Sequence, residues 1–298
     1  MRVFLTGATG FIGSFLVPEL LGAGHTVIGL SRSDAGAESL ARAGAEVFRG
    51  DVNDPDKLRV AAEGADGVIH AAFNHDFSNV KQHSEIDRKV IETLGKVLAG
   101  SDRPFIITSG TGLVRSKSGN PALETDDHVA SADFPRAASE EAADALIEKG
   151  GHVMVMRLPQ VHDARRQGRI TLQIEIARRR GKVAYIGEGR HRLPAVHVTD
   201  AVRLFRMALE HGRAGMRCHA VAEEGVAMRD IAEAIGAGLK LPVESLSPEE
   251  APAYFGPLAR LVMIDLAASG LLTREWLDWH PTGPDLLTDL RGMDYGTG

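Results

Sequence analysis

The stretch TGATGFIG, Thr6–Gly13, constrains the fold of this chain more than any other part of its sequence. It directly follows an apolar run at 2–7 and opens a helical pattern. Gly7 permits a tight turn, Gly10 lets the backbone approach a pyrophosphate, and Gly13 allows close helix–strand packing. The free N–H groups at the start of the helix attract phosphate. This position predicts a dinucleotide-binding loop with contacts from Gly7, Thr9, Gly10, Phe11, Ile12 and Gly13.

Apolar runs alternate with helical patterns through the first half of the chain, which is typical of βαβ units. Strands are predicted at 2–7, 25–30, 45–50, 66–72, 104–110 and 152–158. We therefore expect an α/β fold, a Rossmann-type doubly wound parallel sheet with a smaller C-terminal substrate lobe. The NAD(P)-binding domain covers 1–158, with sheet contributions from later residues, and 159–298 is mainly the lobe. Helices near 168–181, 199–211 and 228–239 and a strand at 216–222 are predicted in this second half.

Composition excludes several classes of protein. A net charge of -6 over 298 residues favours solubility and gives no general attraction to nucleic acid or to anionic membranes. A single cysteine excludes an internal disulfide, and no carboxylate and histidine set has metal-ligand spacing, so we expect no metal. No segment approaches 18 consecutive apolar residues, and the first strand begins at Arg2. We therefore expect no signal peptide, no membrane contact and a cytoplasmic location.

The end of the second predicted strand bears on the choice of cofactor. An acidic residue there binds the ribose 2′-hydroxyl of NAD, whereas arginine accommodates the 2′-phosphate of NADP. The sequence has Ser31, Arg32 and Ser33, with an aspartate only afterwards. One arginine and two hydroxyls suit a phosphate, although a solvated loop arginine is the alternative. NADP(H) is expected in preference to NAD(H).

Several motifs in order resemble the extended or atypical short-chain dehydrogenase/reductases, the NAD(P)-dependent epimerase/dehydratase-like group. TGATGFIG is similar to its glycine motif, GDVND (50–54) to its adenine-contacting turn, and VIHAA (68–72) to the loop after its fourth strand. FIITSGTG (105–112) and RLPQVH (157–162) resemble its fifth strand and the loop beside the nicotinamide. The resemblance covers most of the chain. It implies further cofactor contacts from Asp51, Val52, Ala71, Ala72, Leu158 and Pro159.

The catalytic Tyr-x-x-x-Lys pair of that family is absent. Alignment through the Ser-Glu-x-Ala-x-x-Ala run places Arg136 and Glu140 at the two positions, and none of the three tyrosines has lysine four residues later. Residues i and i+4 share a helix face, so the two can form a surface ion pair. Alternatively, Arg136 bonds a substrate carbonyl or carboxylate, and Glu140 accepts hydrogen bonds from ribose hydroxyls. A packing role for Arg136 is a third interpretation.

Other side chains are candidates for the missing proton donor and for the substrate site. Ser109 and Thr111 can donate from the strand-five segment, unless they only satisfy local backbone. His162, in the loop expected over the nicotinamide, titrates near neutrality. Ligands bind at the carboxyl edge of open α/β sheets, where the segment after the fourth strand lies. The predicted substrate contacts are Phe73, Asn74, His75 and Asp76, with Tyr185 and His191 added by analogy of fold alone.

Three functions are consistent with this sequence. The first is an NADP-dependent oxidoreductase that reduces a small carbonyl, enone or imine without the usual tyrosine acid, since loss of a general acid typically costs about 10²–10⁴-fold in rate. The second is a non-catalytic NADP(H)-binding sensor or scaffold protein. The third is an epimerase or dehydratase, although these reactions also use the tyrosine. The family resemblance further implies a homodimer through helices at about 82–99 and 136–149.

Overall fold

A parallel sheet of seven strands forms the centre of the protein. The structure is a computed structural model and describes residues 1–74, 79–116 and 119–296. The strands of this sheet, numbered along the chain, are β1 (Arg2–Thr6), β2 (Thr26–Ser31), β3 (Glu46–Arg49), β4 (Gly67–His70), β5 (Phe105–Gly110), β6 (Val153–Leu158) and β10 (Arg217–His219). Their order is β10-β6-β5-β4-β1-β2-β3, and all neighbours are parallel. The predicted α/β class is confirmed.

Helices cover both faces of this sheet. They are α1 (Phe11–Gly22), α2 (Asp34–Arg42), α3 (Pro55–Glu63), α4 (Val80–Leu98), α5 (Ala138–Ile147) and α7 (Val198–His211). Leu16 of α1 and Phe205 of α7 lie in the apolar core on one face. On the other face, Leu58 of α3 and Leu94 of α4 pack with Phe105 of β5. Burial on both faces explains why β1, β2, β4, β5 and β6 are largely apolar in the sequence, whereas the edge strand β3 has no buried residue.

The sheet is completed by a strand from much later in the chain. Strand β10 pairs with β6, with Cys218 opposite Met156, and it lies at the edge of the sheet. Helix α7, which precedes it, packs on α1 at the start of the chain. The first 158 residues therefore do not contain the whole sheet.

The second half of the chain forms a lobe with its own small sheets. Strands β7 (Gln160–His162), β9 (Arg192–His197) and β11 (Glu223–Ala227) make one, and β8 (Val183–Ile186) and β12 (Val243–Leu246) make the other. The helices here are α6 (Ile170–Arg180), α8 (Met228–Leu239), α9 (Ala251–Phe255), α10 (Ala259–Val262), α11 (Leu271–Leu277) and α12 (Leu286–Gly292). Ile174, Ile231 and Leu286 belong to a separate apolar core in this lobe.

Local sequence accounts for where the helices begin and end. Asp54 caps α3, with Pro55 at its first turn, and Ser33 caps α2 by accepting the N–H of Gly36. Helix α6 ends at Gly181, whose φ of 69° is readily adopted only by glycine, and its last turn carries the basic run Arg178–Arg180. Those cations complement the partial negative charge of a helix C-terminus. Within the described residues, no helix is long and apolar enough to cross a membrane.

Candidate functional site

The loop after β1 is shaped by two close backbone approaches. Gly7 has a φ of +70°, and a Cβ atom placed there would lie 2.6 Å from the carbonyl oxygen of Ala71. A Cβ at Gly13 would lie 2.1 Å from the carbonyl oxygen of Gly7. Only glycine fits at either position. The tight turn predicted at Gly7 and the close packing predicted at Gly13 are both present.

The first turn of α1 is open to a phosphate. Gly10 is its N-cap and has extended backbone, but glycine supplies no side chain to bond the first N–H groups. An α-helix leaves these groups without partners, and its N-terminus carries partial positive charge. Thr9 is exposed, whereas Phe11 and Ile12 are half-buried. These backbone donors, with Gly7 turning beneath them, fit the pyrophosphate of NAD(P).

Two arginines lie at the ends of neighbouring strands, Arg32 directly after β2 and Arg49 at the end of β3. Arg32 is exposed and forms no ion pair within the described ranges. Arg49, at the end of the neighbouring β3, bonds the carbonyl oxygen of Ser33 and lies 2.7 Å from a carboxylate oxygen of Asp34. The Ser33 hydroxyl caps α2, and Ser31 donates to the Ser33 carbonyl oxygen at 2.9 Å. The two hydroxyls thus have local roles as well.

The remaining predicted cofactor contacts follow neighbouring strands. Asp51 and Val52 come after β3, and Asp51 accepts two hydrogen bonds from Asn53, which shape the turn. Ala71 and Ala72 follow β4, and the Ala72 N–H donates to the Thr6 hydroxyl. Leu158 ends β6, and Pro159 separates it from β7. Because parallel strands end at one edge, these residues lie at the edge where the glycine loop lies.

A chain of hydrogen bonds links Thr6, at the start of the glycine loop, to Arg136, the residue that aligns with the family tyrosine. The Thr6 hydroxyl lies 2.7 Å from His70 Nδ1, and His70 Nε2 lies 2.9 Å from Asp87 Oδ1. The other Asp87 oxygen accepts a hydrogen bond from Arg136 Nη1 at 2.9 Å and one from the Ser139 hydroxyl. Thr6, His70 and Asp87 are buried. Arg136 is therefore anchored to the cofactor loop through two buried side chains.

The charge of Asp87 is maintained by its neighbours. Burial by itself raises the pKa of a carboxyl group. The charges of Arg136 and His70 and the hydrogen bonds from His70 and Ser139 outweigh that effect and lower the pKa of Asp87. The carboxylate is therefore ionised at neutral pH, and it holds a cation in the site.

The expected pairing of Arg136 with Glu140 is wrong. Arg136 lies in a 3-10 turn, Pro135–Ala137, and α5 begins only at Ala138. The two residues therefore do not share a helix face as the i, i+4 argument requires. Arg136 Nη2 instead donates to the carbonyl oxygen of Thr108 at 2.8 Å, and its guanidinium lies 4.0 Å from the centre of the Phe73 ring.

Glu140 is a buried anchor and not a surface residue. It is fully buried and forms a bidentate pair with the equally buried Arg157, with Nη2 to Oε2 at 2.8 Å and Nε bonding both oxygens. The Ser109 hydroxyl donates to Glu140 at 2.5 Å. The Ser109 hydroxyl group therefore already donates its hydrogen bond to Glu140, so Ser109 is a poor donor to a substrate oxygen. Thr111, also buried, opens a 3-10 turn directly after β5.

His162 does not lie in a loop over the nicotinamide, as was expected. It belongs to β7, in register with His197 of β9, and is fully buried. Its Nδ1 lies 2.7 Å from Asp289 of α12, while Nε2 has no hydrogen-bond partner among the described residues and lies 4.0 Å from Glu223. Burial lowers the pKa of His162 in spite of Asp289. A second small sheet, invisible in the sequence pattern, explains the difference.

The predicted substrate residues fall into two places. Phe73 lies against Arg136, and Asn74 lies 3.0 Å from His83 Nε2. His75 and Asp76 lie outside the described residues. In the lobe, Tyr185 is a half-buried residue of β8. A separate cavity of about 360 Å³ in the lobe is lined by Ile186, Gly187, Glu188, Arg190, His191, Pro248 and Asp265.

Sequence reasoning missed three residues of the site. His70 stands within the VIHAA motif, and its place at the end of β4 was a usable signal. Asp87 lies inside a helical pattern, where an aspartate among apolar positions marks a buried partner for a cation. Arg49 precedes GDVND at the end of β3, in register with Ser31, the residue before Arg32. In the described ranges, no group of three or more His, Cys, Asp or Glu residues could hold a metal ion.

Comparisons with known proteins agree on one family. The model of the NAD dependent epimerase/dehydratase family matches residues 3–221. The uncharacterized protein C2A9.02 of Schizosaccharomyces pombe is 43% identical, with 99% of this chain and 100% of that protein covered. The uncharacterized protein YLL056C of Saccharomyces cerevisiae is 39% identical, with 98% of each covered. Weaker sequence matches include reductases and an epimerase.

A solved structure with a similar fold is DesIV, a dTDP-glucose 4,6-dehydratase from Streptomyces venezuelae, with NAD and TYD bound. Its TM-score is 0.78 at 20% identity, covering 98% of this chain and 96% of that one. This likeness concerns the fold alone.

Proposed function

Since the chain belongs to the NAD-dependent epimerase/dehydratase family, we propose that it is an NADP-dependent oxidoreductase that reduces a small carbonyl, enone or imine without a tyrosine acid. Members of this family include reductases, dehydratases and epimerases. The observation that carries the proposal is the anchored Arg136, the residue that the sequence alignment matches to the family tyrosine. Asp87 and the Thr108 carbonyl oxygen fix its guanidinium.

Arg136 can stabilise negative charge but not supply a proton. A guanidinium has five N–H donors and does not deprotonate in proteins. Three of them bond Asp87, Ser139 and the Thr108 carbonyl oxygen, and the others have no partner within the part of the chain that the structure describes. The side chain keeps 16% of its surface exposed. A substrate oxygen can therefore accept a hydrogen bond from it.

The mechanism then separates hydride transfer from proton transfer. When bound, NADPH supplies the hydride to the substrate. Arg136 stabilises the negative charge that develops on the substrate oxygen, because it is already oriented by Asp87. The proton follows from water. An enone or an activated carbonyl suits this site, since its oxyanion or enolate needs no concerted acid.

Preference for NADP is supported by the charges at the end of β2. Arg32 forms no ion pair among the described residues, and Arg49 on β3 is in register with the preceding residue, Ser31. Asp34, the acidic residue nearest to this position in the sequence, is engaged by Arg49 at 2.7 Å. Two cations with one engaged carboxylate favour a 2′-phosphate over a 2′-hydroxyl.

A second candidate, a non-catalytic NADP(H)-binding protein, is favoured by Glu140. The family lysine at this position binds the nicotinamide ribose and lowers the tyrosine pKa. Glu140 is fully buried, carries the opposite charge and is saturated by Arg157 and Ser109. A chain that no longer catalyses could retain such a residue for stability alone.

The test is NADPH oxidation, followed at the nicotinamide absorbance, with aldehydes, ketones, enones and cyclic imines, and with NADH in parallel. Arg136→Ala should lower kcat about 10²-fold with little change in the Kd of NADPH, because it removes charge stabilisation at the reacting oxygen. Arg136→Lys should restore part of the rate.

Arg88→Ala is the matched control, since Arg88 lies on α4 and pairs with Glu141. It should keep the wild-type rate. Unchanged turnover in Arg136→Ala would remove this residue from the mechanism. No turnover by the wild-type protein, with tight NADPH binding in the same samples, would favour the binding protein.

A further inference from the structure

The segment between β7 and α6 carries three arginines that lack counter-charges. In DARRQGR (163–169), Arg165, Arg166 and Arg169 form no ion pair with any carboxylate in the described ranges. Arg169 is the N-cap of α6, and burial lowers its pKa to about 10. Elsewhere in the protein, arginines such as Arg157, Arg206 and Arg217 are paired. The segment therefore carries more positive than negative charge, and the one of its arginines that faces the dinucleotide loop is a candidate anion ligand.

The same segment is held in shape by its own hydrogen bonds. One carboxylate oxygen of Asp163 accepts the N–H groups of Arg165 and Arg166 at 2.7 and 2.5 Å. The Asp163 N–H donates to the Arg166 carbonyl oxygen at 2.9 Å, and the Gln167 side chain donates to the Asp163 carbonyl oxygen at 2.6 Å. The Gln160 side chain, which is buried, bonds the carbonyl oxygen of Gln167. The turn therefore presents Arg166 without help from a ligand.

Arg166 reaches across to the dinucleotide loop. Its guanidinium carbon lies 5.7 Å from the centre of the Phe11 ring. Phe11 is the first residue of α1, next to the N-cap Gly10. A cation within about 6 Å of an aromatic face is attracted to it, which holds the guanidinium near the first turn of the helix.

The glycine loop itself has no charge with which to balance a pyrophosphate. Residues 6–18, from the end of β1 through the middle of α1, contain no Lys, Arg, Asp or Glu. The loop contributes only N–H groups and the partial positive charge of a helix N-terminus, whereas a pyrophosphate carries two negative charges. Arginine recognises phosphate oxygens with paired N–H groups.

We propose that Arg166, carried by the turn at 163–168 of the second lobe, binds the pyrophosphate of the nicotinamide cofactor and closes over it from the side opposite the glycine loop. The inference rests on the proposed function, since it requires a bound dinucleotide. When the cofactor binds, the Arg166 guanidinium moves only from the Phe11 ring to the phosphate oxygens at the N-terminus of α1. The second lobe thereby contributes to cofactor affinity as well as to substrate binding.

The experiment measures Kd by calorimetry for four ligands: NADPH, NADH, ADP-ribose, which contains a pyrophosphate, and adenosine 2′-monophosphate, which has no phosphate at its 5′ position. Arg166→Ala should raise the Kd of the three pyrophosphate ligands about tenfold or more, because it removes a charge-assisted hydrogen bond. Its Kd for adenosine 2′-monophosphate should stay within about twofold of wild type, and that binding also reports that the variant is folded.

Two control variants separate this site from general charge effects. Arg165→Ala removes the same charge from the same turn and should change none of the four affinities by more than about twofold. Arg32→Ala should give a different pattern from Arg166→Ala, weakening NADPH and adenosine 2′-monophosphate but not NADH or ADP-ribose.

The outcomes are distinguishable. Equal weakening of all four ligands by Arg166→Ala, unchanged affinities in that variant, or the same losses in Arg165→Ala would overturn the role of Arg166 and leave the proposed function standing. Failure of the wild-type protein to bind either dinucleotide would overturn both. Selective loss of the pyrophosphate ligands in Arg166→Ala alone is the expected result.

Discussion

Arg136 and Glu140 each have a separate buried partner. Arg136 is balanced by Asp87, and Glu140 by Arg157, so the two residues that align with the family's catalytic pair belong to different ion pairs. Reversion to the family residues would therefore disturb both. A lysine at 140 would place two cations together in a site from which water is excluded, where an unpaired charge is strongly destabilising.

The buried pair of Glu140 and Arg157 predicts that alanine variants of two adjacent glutamates differ greatly in stability. Glu140→Ala leaves the Arg157 guanidinium buried without its counter-charge, and we expect a loss of about 3–5 kcal/mol in the free energy of unfolding. Glu141→Ala removes a half-exposed carboxylate that pairs with Arg88, and it should cost about 1 kcal/mol or less. Urea unfolding of the two variants at pH 7 checks this. Similar losses in both would show that the Glu140 pair contributes no special stability.

At the scale of the elements, the main sheet follows from the sequence. The six strands predicted in the first half agree with β1 to β6 to within about two residues at each end. Their signal is strong because a parallel strand covered on both faces is apolar throughout. Gly7 and Gly13, where a Cβ would clash, can also be predicted, because they stand in a glycine motif directly after β1. These features depend on residues that are close together in the sequence, so they can be predicted from it.

The strands of the second lobe could not be predicted in the same way. Strand β7 has three residues and follows β6 after a single proline, so its pattern merges with that of the longer strand. Its partner β9 lies about 30 residues further along the chain, and only this pairing shows that His162 is buried. The partners of Arg136 and Glu140 are likewise distant in sequence. Asp87 and Arg157 approach them only after the sheet is assembled.

Helix α12 is tied to the lobe by the contact between Asp289 and His162. Asp289→Ala leaves both nitrogens of a fully buried imidazole without hydrogen-bond partners, since Nε2 already has none in the described structure. We expect a loss of about 1–3 kcal/mol in the free energy of unfolding. Glu233→Ala, at an exposed glutamate of α8 that pairs with Arg229, is the control and should be nearly neutral. If thermal or urea unfolding gives equal stabilities for the two variants, α12 is held by its apolar contacts alone.

At the scale of the whole molecule, a buried histidine makes stability depend on pH. The Arg157 guanidinium donates toward His219 Nε2, and Nδ1 lies 2.8 Å from the Ser269 carbonyl oxygen, so the neutral ring is protonated on Nδ1. Burial, helped by the Arg157 charge, lowers the pKa of His219 to about 4. In the unfolded chain this pKa is about 6.5. As pH falls from 6.5 toward 4, the unfolded state binds a proton that the folded state does not, and stability is lost.

The loss attributable to His219 is about 3 kcal/mol between pH 7 and pH 4. His219→Asn removes the titrating ring, so its unfolding free energy should fall less over that range, by about this amount, than that of the wild-type protein. Urea unfolding at several pH values measures the two slopes. Parallel slopes would mean that His219 is protonated in the folded protein, contrary to its bonding with Arg157. Carboxylates contribute equally to both proteins and cancel in the comparison.

The position of β10 has a consequence for biosynthesis. The ribosome makes the chain from the N-terminus, at roughly 5–20 residues per second. The first six strands leave it long before residues 217–219, which cover the free edge of β6, and before α7, which covers the apolar face beneath α1. For that interval the nascent chain exposes an unpaired strand and a bare apolar surface. Both stay uncovered until residues 198–219 have emerged from the ribosome.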